Sequence, residues 1–122
     1  MLCGTSLSLP DIISLIHRGE YRDAISILEK GVNDKSKPLL ERVEYCKWLA
    51  ECFKNLEDFK MSGDWYLEVI KNILAQQTDM KLKAKQALPY CEKALEQYRE
   101  GGDAIDVLEA AKLKQKLFDL SK

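Results

Sequence analysis

The chain has 122 residues, 46% hydrophobic and 32% charged, with only 3 Pro and 6 Gly; this is enough for one self-folding domain, and its wealth of Leu, Lys, Glu and Ala favours helix over sheet. Its 19 basic and 20 acidic side chains leave a formal charge of -1, which excludes a net field drawing the whole molecule to nucleic acid or to an anionic membrane. No apolar run approaches the ~18 residues of a membrane span, and the opening MLCGTSLSLP lacks the charged and apolar regions of a secretory signal, so membrane insertion is not expected and the expected location is intracellular, in the cytoplasm.

Along the chain apolar residues recur at three and four, the period of helices. Ile12, Leu15 and Ile16 carry the first helix, capped by Ser8 or Thr5, with Pro10 in its first turn. Gly19 and Glu20 make a turn, and Ala24, Ile27 and Leu28 mark a second helix from Tyr21 or Arg22 to about Gly31. GVNDKSKP is the clearest loop, and Pro38 opens a third helix from Leu39 to about Lys54. There Val43, Cys46, Leu49, Ala50 and Phe53 fall on one side and Glu44, Lys47, Glu51 and Lys54 on another.

Asn55 ends that helix, and Asp58 caps a fourth, carried by Phe59, Ser62, Tyr66, Val69, Ile70 and Ile73 to about Ala75. Gly63 inside it costs roughly 1 kcal/mol relative to Ala, which points to a close neighbour. Thr78 or Asp79 caps a fifth helix from Met80 to Glu100. Pro89 either kinks it near Lys85 to Leu88 or starts a new helix, and the kinked helix is favoured. The GlyGly pair at 101 and 102 stops it, and Asp103 caps a sixth helix with an apolar stripe of Ile105, Leu108, Ala111, Leu117 and Phe118. The result is six helices in three hairpins, an all-α fold.

Little in the sequence points to catalysis. His17 is the sole histidine, and Cys3, Cys46, Cys52 and Cys91 form no CxxC pair and no zinc-ligand spacing. GGD at 101 to 103 lacks the Gly-Lys-Ser of a phosphate loop. No enzyme activity, cofactor or metal is therefore expected. Lys81, Lys83 and Lys85 with Lys112, Lys114 and Lys116 could form a basic ridge, with Tyr90 or Tyr98 to stack a base. Glu92, Glu96, Glu100, Asp103 and Glu109 are interleaved with them, which favours a solvated face. A compact bundle that binds nucleic acid or serves assembly through these lysines is the secondary reading.

GEYRDAISIL, residues 19 to 28, lies over EDFKMSGDWY, residues 57 to 66, a period of about 38 residues. Both segments run aromatic, small, large at the same spacing. In order and spacing Cys46, Leu49, Ala50, Phe53, Phe59, Ser62, Tyr66 and Val69 resemble the tetratricopeptide repeat family. Gly19, Tyr21, Ala24, Leu28 and Gly31 match only the second half of its unit, with Ser8 and Asp11 where the family has large apolar residues. Tyr98, Gly102, Val107 and Ala111 make the weakest match.

The resemblance implies a single domain over 1–122, with units near 8–37, 38–76 and 79–120 stacked as a short right-handed solenoid. It also implies an adaptor or scaffold that holds a peptide or helix of a partner protein in a concave groove. It assigns Leu9, Ile13, Ile16, Glu44, Lys47, Glu51 and Lys54 to that groove. The Lys and Asn set with which the family grips chaperone C-termini is largely absent and is not carried over. A second copy could instead cover Leu9, Ile13 and Ile16 in a homodimer, and the competing arrangement rotates the first helix so that these residues are core.

Overall fold

The computed structural model describes residues 8–122; Cys3 and the alternative cap Thr5 lie outside them. All regular structure among the described residues is helical: α1 (Leu9–His17), α2 (Tyr21–Asn33), α3 (Leu39–Asn55), α4 (Phe59–Leu74), α5 (Met80–Gly101) and α6 (Ala104–Leu120). The starts are set by local chemistry. The Asp11 carboxylate accepts from the Ser8 backbone N–H at 3.2 Å and from its hydroxyl at 2.7 Å, which accounts for a polar residue where the repeat family has an apolar one. Asp58 accepts from the Met61 N–H, and Asp79 rather than Thr78 caps α5 by accepting from the Leu82 N–H. Asp103 and Asp106 each accept from the other's backbone N–H at the start of α6.

The α1–α2 and α3–α4 turns are built alike. Gly19 has φ of 81° and Glu57 φ of 61°; each donates its N–H three residues back, to Ile16 and Lys54, and the next residue donates five back, from Glu20 to Leu15 and from Asp58 to Phe53. These two turns sit one sequence period apart.

One helix end differs from the sequence expectation. α2 passes through Gly31 to Asn33, because Gly31 lies under the Tyr45 ring, where a Cβ would stand 2.7 Å from Cε2, and is not a helix stop. α5 is one helix from Met80 to Gly101 through Pro89, the alternative favoured over a new start at the proline. Both Pro89 and Lys85, whose carbonyl the proline leaves without its usual donor, are exposed to solvent.

The helices pack in chain order, each on the next. Ile12, Ile16, Ala24, Leu28, Tyr45, Leu49 and Cys52 join α1, α2 and α3. Val43, Cys46, Val69, Ile70, Ile73, Ala84, Ala87, Cys91 and Leu117 join α3 to α6, and a third cluster sets Ala50 and Tyr66 against Ala94, Leu95, Tyr98 and Ala110. Trp65 packs against all three clusters. Between α3 and α4 the backbones come close at two small residues, with the Ser62 hydroxyl donating to the Ala50 carbonyl at 2.8 Å.

Two core expectations are corrected. Phe53 is only half-buried, and the fully enclosed residue at that turn of α3 is Cys52. On α6 the inward side carries Val107, Ala110, Leu113 and Leu117, whereas Ile105, Leu108 and Phe118 are 68%, 53% and 48% exposed. α6 thus has two apolar stripes, and the sequence period does not say which one meets α5.

Candidate functional site

Lys47, Glu51 and Lys54 are spaced by four and three along α3, so they stand on one side of that helix. α4 adds Tyr66 and α5 adds Tyr90 and Lys93, one turn apart. Together with Trp48 these residues line a hollow of about 290 Å³. Glu44 does not line it but holds Lys47, Nζ to Oε2 at 2.8 Å.

The charge balance of the hollow follows from its contacts. Three ammonium groups face one carboxylate, and that carboxylate, Glu51, accepts a hydrogen bond from the Tyr66 hydroxyl. Burial, then the bond to Glu51, push the Tyr66 phenol well above its ordinary value, which keeps it a donor. Burial pulls Lys47 down, but the Glu44 hydrogen bond and the Tyr90 phenol group outweigh it, and its net shift is upward. Lys47 therefore stays cationic across the physiological range. Its Nζ lies 5.8 Å from the centre of the Tyr90 ring, and that of Lys93 lies 5.8 Å from Tyr66 and 5.9 Å from Tyr90, within cation–π range. A cationic hollow with aromatic walls suits an anionic group carried on an apolar or aromatic chain.

Of the residues expected from sequence, Lys47, Glu51 and Lys54 are brought together here, with Glu44 behind them. Leu9, Ile13 and Ile16 do not line this hollow. Ile16 is only 6% exposed and sits in the core with Ile12, Leu9 packs on the same cluster, and Ile13 is half-buried. Trp48, Tyr66, Tyr90 and Lys93 were not expected at a groove, Tyr90 having been weighed only for base stacking and Tyr66 only as packing. Their signal was weak, because it lies in the juxtaposition of α3, α4 and α5 rather than within any one segment.

The lysine ridge weighed for nucleic acid loses a member. Lys83 is buried, and its Nζ donates to the Leu74 and Gln76 carbonyls at 2.9 and 2.8 Å, closing the C-terminal end of α4. Tyr98, one of the two aromatics weighed for stacking, is 2% exposed, with its hydroxyl bound to Asp64. Cys46, Cys52 and Cys91 are buried, and burial pushes the first two thiols up to about 12 and the third to about 11. His17 is exposed at the end of α1. No described helix is long and apolar enough to cross a membrane. Compared with known proteins, the chain matches no family model, no curated protein and no solved structure.

Proposed function

We propose that the chain is a non-catalytic adaptor: three helical hairpins stacked as a short right-handed solenoid, holding an extended or helical segment of a partner protein on the side formed by α3 and α5. The observation that carries this reading is the convergence of Lys47, Lys54 and Lys93 around a hollow walled by Trp48, Tyr66 and Tyr90. The matching turns at Gly19 and Glu57 support the repeat on which the stack rests, and packing in chain order supports a stack over a closed bundle. The preferred segment carries an acidic side chain beside an apolar one: the first pairs with the lysines and the second lies against the rings.

Arrayed peptides of varied charge test this. Wild type is expected to retain acidic, apolar-rich peptides, with a change in Trp48 emission that is absent from Trp48→Phe. Lys54→Glu/Lys93→Glu, with helix content unchanged by circular dichroism, is expected to release them. Equal retention by both proteins would remove the hollow from the function.

A further inference from the structure

We propose that the hollow between α3, α4 and α5 takes a phosphorylated tyrosine side chain of the partner segment. This occupant rests on the reading of the hollow as the partner site and narrows what that site holds. At about 290 Å³ the hollow stands at the lower end of the roughly 300–1,000 Å³ that ligand sites occupy, which leaves room for one large side chain. Its walls make two demands at once. The rings of Trp48, Tyr66 and Tyr90 call for a flat apolar body, and the ammonium groups of Lys47, Lys54 and Lys93 call for an anion. Separate acidic and apolar side chains would compete for the same space. A phosphotyrosine meets both demands alone, with its ring against the aromatic walls and its phosphate among the lysines.

The charges favour a dianion over a carboxylate. Among the lining groups, three ammoniums and one carboxylate, Glu51, leave two positive charges. Glu51 opposes an anion, but its bond from the Tyr66 hydroxyl ties it to the α4 wall. Glu44 and Glu96 act from outside the lining, the first on Lys47 at 2.8 Å and the second on the Tyr66 phenol. Lys54 from α3 and Lys93 from α5 are exposed and make no ion pair with any described residue. A phosphate brings about -1.5 to -2 charges at pH 7 and three acceptor oxygens, enough to engage both lysines together. A carboxylate brings one charge and leaves one of the two lysines uncompensated. Ammonium groups act on phosphate as point charges with rotatable donors, so the two can close on it from different helices.

Titration of the full chain with short labelled peptides, read by fluorescence anisotropy, tests this. The peptides share one neutral sequence and carry phosphotyrosine, tyrosine, glutamate or phosphoserine at the centre. The phosphotyrosine peptide is expected to bind about ten-fold or more tighter than each of the other three. Lys54→Gln/Lys93→Gln, with its fold checked by circular dichroism, is expected to lose that margin. Phenyl phosphate is expected to displace the peptide at concentrations where inorganic phosphate does not, since only the former brings a ring. No binding of the phosphotyrosine peptide, equal binding of the glutamate or phosphoserine peptide, equal displacement by inorganic phosphate, or a margin that survives loss of both lysines would overturn the proposal. Retention of the arrayed acidic peptides alongside such a result would keep the hollow as the partner site and remove only this occupant; their release as well would remove both.

Discussion

At Gly63 two rules of helix stability oppose each other. Replacing a mid-helix glycine with alanine gains roughly 1 kcal/mol in helix propensity. A Cβ there, however, would stand 2.6 Å from Cε1 and 2.8 Å from Cδ1 of Tyr98. That ring has no room to retreat, since it is buried in the core and its hydroxyl is bound to Asp64. Overpacking a close-packed site costs roughly 1–3 kcal/mol, and rigid surroundings favour the upper part of that range. Gly63→Ala is therefore expected to lose about 1 kcal/mol net, read as a lower urea midpoint at unchanged slope; a higher midpoint would show that the Tyr98 ring can move. Lys83 is a second case of context overriding type. As one of several lysines in KLKAKQ it looks like surface, but its position one turn into α5 places its ammonium over the last carbonyl of α4, at Leu74, and the Gln76 carbonyl of the loop that follows. Sequence carries no sign of that, because the acceptors are backbone carbonyls at the end of α4 and in the loop after it.

Among the elements, starts and turns were the legible part, since capping depends on neighbours in sequence. Asp58 and Asp103 cap where their positions before an apolar run indicate. The inward face of α6 was not legible, because both of its stripes are apolar and the choice is made by the surface of α5. For the same reason half of the hollow could be read: Lys47, Glu51 and Lys54 follow from the polar side of α3, whereas Tyr90 and Lys93 enter through the register of α5 against it. The turns permit a paired test. Gly19 at φ 81° has no atom within 4 Å of an added Cβ, so Gly19→Ala isolates the backbone cost of the left-handed region, about 1–2 kcal/mol. Glu57 already bears that cost at φ 61°. Glu57→Gly removes it, while the greater freedom of glycine in the unfolded chain returns roughly 0.5–1 kcal/mol. Melting curves are expected to move in opposite directions: Gly19→Ala falls by several degrees and Glu57→Gly rises slightly. A shared direction would mean that the two turns are not equivalent.

At the scale of the whole molecule, weak acids that burial keeps protonated are spread through the core. Cys46 and Cys91 lie in the cluster joining α3 to α6, Cys52 in the one joining α1 to α3, and Tyr66 and Tyr98 in the third, so all three clusters carry one. Burial is the leading cause of each upward shift, to about 12 for Cys46 and Cys52 and about 11 for Cys91. For Tyr66 and Tyr98 burial comes first, followed by hydrogen bonds to Glu51 and Asp64. Unfolding returns these groups to ordinary values, near 8.5 for thiols and 10 for phenols, each to roughly a unit. Above those values the unfolded chain sheds protons that the folded chain retains, so stability falls as pH rises. The contribution is complete below about pH 8 and lost progressively through the folded values of about 11 and 12. Urea titrations are expected to show a flat midpoint from pH 7 to about 8.5 and a steep decline beyond it. Over the flat range the three described thiols should resist a soluble disulfide reagent until the chain unfolds, because a thiol held neutral in the core is a poor nucleophile. Fast labelling of Cys46, Cys52 or Cys91 in the folded protein, located by peptide mapping, would show that its cluster opens without global unfolding, and the alkaline decline would then divide into steps instead of forming one transition.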